Sequence, residues 1–102
     1  MKAMFNLSQL VADVTTDFLA QNKEMKVEGM AEFALLIQGK IGEERLQEAF
    51  EKGQLSEEKM KAAIMDLLMC AAGRARARGS TQITDEDVCL SIPERKRLYP
   101  WG

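Results

Sequence analysis

Apolar residues recur at steps of three and four along most of this chain, and no run alternates polar and apolar positions for long enough to predict a strand. The sharpest pattern lies between Ser56 and Gly79. Met60, Ala63, Ile64, Leu67, Leu68 and Ala71 fall on one face of a helix with about 3.6 residues per turn. Ala62, Met65, Met69 and Ala72 add a second apolar flank, so the non-polar arc is wider than the roughly 100° stripe of an ordinary surface helix. Contacts on two sides of this helix are expected. Ser56 suits its N-cap, because a serine hydroxyl accepts a bond from an otherwise orphaned backbone N–H, and Glu57 and Glu58 place negative charge at the positive end of the dipole. The predicted helix, about 57–78, is about 33 Å long, enough to cross a domain of this size.

Upstream, Asn6 or Ser8 can cap a first helix with Leu7, Leu10, Val11, Val14, Phe18 and Leu19 on its inner face and Asp13, Thr16, Asp17 and Gln21 mostly opposite. The polar run Gln21 to Glu24 marks a break. Met30, Phe33, Ala34, Ile37 and Ile41 then predict the inner face of a second helix, widened by Leu35 and Leu36, with Gly29 either preceding it or letting another backbone pass close. Glu43 to Lys52 predicts a short third helix with Leu46, Ala49 and Phe50 inward and Gly53 as its stop. Beyond the long helix, Gly79 to Ile83 is a turn carrying one apolar residue. Thr84 with Asp87 approximates a capping box, and Asp85, Glu86 and Asp87 suit the first turn of a closing helix that Pro93 limits to about two turns. No internal repeat is visible. The predicted fold is all-α: a small bundle of four to five helices around the long central helix, one domain over 1–92 with a tail over 93–102.

Composition adds bounds. A chain of 102 residues, 46% hydrophobic and 29% charged, is a globular domain rather than a disordered one. The formal charge of −2 argues against a protein whose main task is coating nucleic acid, although the basic residues are unevenly placed. Residues 1–68 hold 8 basic and 12 acidic side chains, whereas 69–102 hold 6 and 4. Cys70 and Cys89 stand far apart in no zinc-ligand or disulfide pattern and read as two buried free thiols. The first residues lack the apolar region and cleavage site of a signal peptide, and no segment approaches the roughly 18 apolar residues of a membrane span. A cytoplasmic protein with no membrane partner is expected.

Chemistry finds little to work with. Histidine is absent, and no Ser-His, Cys-His or HExxH arrangement, dinucleotide fingerprint or Walker loop occurs. Gly39 to Gly42 is too short to cradle a phosphate. Glu43, Glu44, Glu48 and Glu51 are interleaved with Lys40, Arg45 and Lys52, which reads as a solvated helix face rather than a metal site. The expectation is no enzyme, no cofactor and no metal. Arg74 and Arg78, four apart, share a helix face that continues the Leu67 and Ala71 stripe. They either complement the helix dipole or join Arg95, Lys96 and Arg97 as a basic patch for phosphates or an acidic partner. Of seven methionines, Met25, Met30, Met60, Met65 and Met69 lie on or beside helical faces, as core filler or as a surface that moulds to a partner. Leu98, Tyr99 and Trp101 are either pinned onto their own domain or presented as an anchor.

Over residues 43–92 the chain resembles a histone fold, in its capped long helix, its short loop with Ile83, and a last helix opened by Thr84-Asp85-Glu86-Asp87-Val88. Glu43 to Lys52 takes the place of the short first helix. The lid domains of AAA+ ATPases end in a similar cap. Two helices upstream fall outside the histone pattern, and the central helix is about two turns shorter. The histone resemblance implies nucleic-acid binding through the arginine-rich end of the long helix and the basic tail. The residues themselves favour a non-enzymatic protein–protein interaction module, a regulator, inhibitor or small subunit. It would bind another protein or a second copy through a Met-rich apolar helical surface. The expected contact residues are Met65, Met69, Arg74, Arg78, Arg95, Arg97, Tyr99 and Trp101.

Overall fold

Asn6 caps the first helix, its Oδ1 accepting the Gln9 backbone N–H at 3.1 Å. A computed structural model describes residues 6–41 and 43–94. These form α1 (Leu7–Gln21), β1 (Lys26–Val27), α2 (Gly29–Ile41), α3 (Glu43–Glu51), α4 (Glu57–Ala77), β2 (Gln82–Ile83) and α5 (Asp85–Glu94). The fold is a small all-α one with a single long helix, as predicted. α4 opens at the expected cap, with Ser56 Oγ accepting the Lys59 N–H at 3.2 Å.

The polar break after α1 does more than end a helix. Both the backbone N–H and the side-chain amide of Asn22 donate to the Phe18 carbonyl, at 2.9 and 3.0 Å. The chain then turns so that Lys26 and Val27 lie beside Gln82 and Ile83 in a parallel bridge. Lys26 N–H donates to Thr81 O at 2.8 Å and Glu28 N–H to Ile83 O at 3.0 Å. A two-residue strand carries no alternation, which is why neither strand was predictable from periodicity.

The bridge makes the architecture one of two helix–strand–helix units, α1–β1–α2 and α4–β2–α5, joined through α3. The units interlock, with α1 on α4, α2 on α5 and β1 on β2. Ala31 and Leu35 of α2 are buried at the same steps from β1 as Asp87 and Ser91 of α5 from β2. Pairs as unlike as Ala with Asp and Leu with Ser leave no repeat in the sequence. α4 packs against both α1 and α5. Its wide apolar arc is therefore largely filled from within the chain, and the small Ala71, Ala72 and Ala75, all fully buried, let neighbours come close. Leu7, Leu10, Val11, Val14 and Phe18 of α1 join Ile64, Leu67, Leu68, Ile83 and Val88 in the core.

Three expectations change. Cys70 and Cys89, expected buried, are half-buried and exposed, because Cys70 lies beside rather than on the buried face of α4 and Cys89 lies on the outer side of α5. On α2 the buried residues are Ala31 and Leu35, whereas Met30 and Phe33, expected inward, are 59% and 52% exposed. The buried face is rotated by about one residue, or roughly 100°. This helix is apolar nearly all round, so its period does not fix its phase; the β1 bridge fixes it. The side chains of Ile37, Ile41 and Leu46 lie outside the described residues. The closing helix runs through Pro93 to Glu94, nearer three turns than two. Gly29 meets no close backbone and simply begins α2.

Thr15 is buried on α1, and its hydroxyl has no partner among the described residues. A buried hydroxyl without a bond is a net loss that an isosteric methyl removes. Thr15→Val is expected to leave stability unchanged or raise it by up to about 1 kcal/mol in urea melts. A loss beyond that would mean the hydroxyl is bonded.

Candidate partner-binding groove

The end of α4 is held by its own arginines. Gly79, at φ 77°, turns the chain away from the helix, and Ser80 N–H returns to Ala75 O at 2.9 Å. The chain then passes through β2 into the cap of α5. There Asp87 N–H donates to Thr84 Oγ1 at 3.3 Å, while Thr84 N–H donates to Asp87 Oδ2 at 3.0 Å, the two halves of a capping box. The predicted cap is present, and Asp87 also has a tertiary partner.

Arg78 reaches across this corner. Its Nε donates to Asp87 Oδ1 at 3.2 Å, and its Nη2 donates to Asp87 Oδ2 and to the Gln82 carbonyl at 3.3 Å. Asp87 is only 4% exposed. Burial works against its charge, but the Arg78 fork and the Thr84 N–H and hydroxyl outweigh burial and hold the carboxyl below the usual aspartate range. Arg74 Nη2 donates to the Leu90 carbonyl on α5 at 3.3 Å. Arg76, on the other side of the helix, donates to Glu24 Oε1 at 2.9 Å and Asn22 Oδ1 at 3.4 Å in the turn before β1. A backbone N–H and then Arg76 keep the Glu24 carboxyl low. The three arginines thus tie α4 to three separate places in the chain.

Between α4 and α5 lies an open groove of about 240 Å³ lined by Arg74, Ala77, Arg78, Glu86, Asp87 and Leu90. Leu90 is 48% exposed. Met69, 45% exposed, stands on α4 at steps of four from Gly73 and Ala77, both also exposed, so an apolar strip runs along α4 into the groove. Met65 is half-buried against the core, and Met25 and Met60 belong to the core.

Of the expected contact residues, Arg74 and Arg78 line one groove, Met69 stands on the strip leading to it, and Met65 lies mainly inward. Arg95, Arg97, Tyr99 and Trp101 lie outside the described residues. Leu90 and Glu86 were missed as site residues. The groove they line forms where two helices meet, and neither helix's spacing encodes the meeting. Comparison with protein-family models, curated proteins and solved structures gave no match. No helix among the described residues is long and apolar enough to cross a membrane.

Proposed function

We propose that this chain is a non-enzymatic protein-binding module, a regulator, inhibitor or small subunit, whose contact surface is the Met69–Gly73–Ala77 strip and the Leu90 wall of the groove. The observation that carries it is the exposure of large apolar side chains beside arginines that are already matched within the chain. Arg78 is paired with Asp87, Arg74 donates to the Leu90 carbonyl, and Glu86 and Asp87 balance the charge of the two arginines that line the groove. That neutralised lip suits an apolar segment of a partner better than a run of phosphates, which needs uncommitted cations. A histone or AAA+ lid type for residues 43–92 is proposed with it; the position of Ile83 in a strand between the long helix and the capped α5 supports the resemblance.

The test is affinity capture from a native extract with nuclease treatment, comparing the wild type with Met69→Asp and Leu90→Asp. Both residues are exposed, so thermal stability is expected to hold within about 0.5 kcal/mol. A specific partner should be lost by about tenfold or more in either variant, as when a hot spot is removed. A partner retained equally by both variants would sink the proposal. So would duplex retardation on a gel at about 50 mM salt that Arg74→Ala abolishes and Leu90→Asp does not, which is the outcome the nucleic-acid reading expects.

A further inference from the structure

The two helix–strand–helix units are held together chiefly by contacts between units: α1 on α4, α2 on α5, and β1 on β2. Among the described residues of what joins them, Leu55 is the one that belongs to the buried core. None of the described positions from Gln47 to Gln54 is buried; Ala49 and Phe50 pack only partly against the core, and Leu55 is the first buried residue after them. The joint after α3 is a glycine at φ 74°, Gly53, whose surroundings are open. A connector whose described part, residues 47–56, holds one buried side chain and a glycine joint can be straightened while every contact between the units is kept.

We infer that two copies of this chain exchange units: the α1–β1–α2 unit of one copy seats on the α4–β2–α5 unit of the other. The partner is a second copy, and the surface it fits is the one that each unit already presents to its neighbour. Lys26 of one copy then stands beside Gln82 of the other, and Glu24 of one copy meets Arg76 of the other, as they do now within one chain. The inference stands apart from the groove, which lies wholly within the second unit. A connector of this length gives each unit an effective concentration on the order of millimolar for its mate, so exchange grows with protein concentration.

The bridge supplies the test. Lys26 and Gln82 are exposed and in register, a placement in which the Cα atoms of a paired bridge lie within the roughly 4.4–6.8 Å a disulfide spans. In a full-length chain with Cys70→Ser and Cys89→Ser, the double variant Lys26→Cys/Gln82→Cys should close an intrachain disulfide and run as a monomer. Equimolar Lys26→Cys and Gln82→Cys single variants are then unfolded together, refolded and oxidised. A disulfide-linked dimer pairing the two different variants is expected. Its fraction should rise about tenfold between roughly 20 and 200 μM, as a bimolecular exchange far below its effective concentration requires. If the double variant locks but the mixture gives no such dimer at any concentration, the units do not exchange. Linked dimers of each variant with itself in equal amount, or a dimer in light scattering without the cross-link, would likewise overturn the inference in favour of ordinary face-to-face association.

Discussion

Arg78→Ala is expected to destabilise the protein at pH 7, because its guanidinium, itself about half exposed, is the cation that pairs with the buried Asp87 carboxylate. The loss falls on Asp87. That carboxylate is buried, and without Arg78 its charge would be supported only by the Thr84 N–H and hydroxyl. The sign of the pH dependence follows from the direction of its shift. Asp87 titrates lower in the folded chain than in the unfolded one, so its stabilising contribution is full above the ordinary aspartate value near 3.9 and is lost as pH falls through the lower, folded value. Removing Arg78 raises the folded value, so acid should then cost the variant less than it costs the wild type. The gap between the two in urea melts is expected to be largest at neutral pH and to shrink below about pH 4. Arg78→Lys should recover only part of the loss, since an ammonium cannot reproduce the two-pronged contact. An equal loss at pH 7 and pH 3 would show that Arg78 acts through something other than the Asp87 charge.

What the chain's pattern revealed, and what it hid, divides along a physical line. Features decided within a few residues were legible. The Ser56 and Asn6 caps, the Thr84–Asp87 box, the glycine stop at Gly53 and the inner face of α1 are local chemistry, and each stands where its residues put it. Features decided by the meeting of distant segments were not. The Lys26–Val27 and Gln82–Ile83 bridge joins residues on opposite sides of the connector, and it sets the phase of α2, turning Met30 and Phe33 outward and Ala31 and Leu35 inward. The groove is of the same kind. Arg74 and Arg78 could be placed on one helix face by counting, but their partners, the Leu90 carbonyl and Asp87, come from a helix whose docking no periodicity describes. The breadth of the apolar arc on α4 was legible too, and it correctly implied contacts on two sides. It carried no information on whether those contacts come from this chain or another, and here α1 and α5 supply them.

That arrangement leads to the largest expected loss. Phe18→Ala should destabilise the protein by about 3–5 kcal/mol, because the ring is fully buried and its removal forfeits both transfer energy and contacts. Collapse around the vacancy is the only relief, and its position makes collapse difficult. Phe18 lies one turn from the end of α1, where its carbonyl is tied by both nitrogens of Asn22 and the following turn is pinned to α4 through Arg76 and Glu24. α1 packs on α4, whose buried Ala71, Ala72 and Ala75 are already small. Phe18→Leu, which keeps most of the volume, should cost less than half as much, roughly 1–1.5 kcal/mol. Double-mutant analysis separates the two largest effects. Phe18→Ala acts through the interface between the units and Arg78→Ala through the α4–α5 corner, so their losses should add within about 0.5 kcal/mol if the sites are independent. A loss for Phe18→Ala below about 1.5 kcal/mol would mean that α1 slides to close the gap, and that the lock between the Asn22 turn and Arg76 is weaker than its geometry implies.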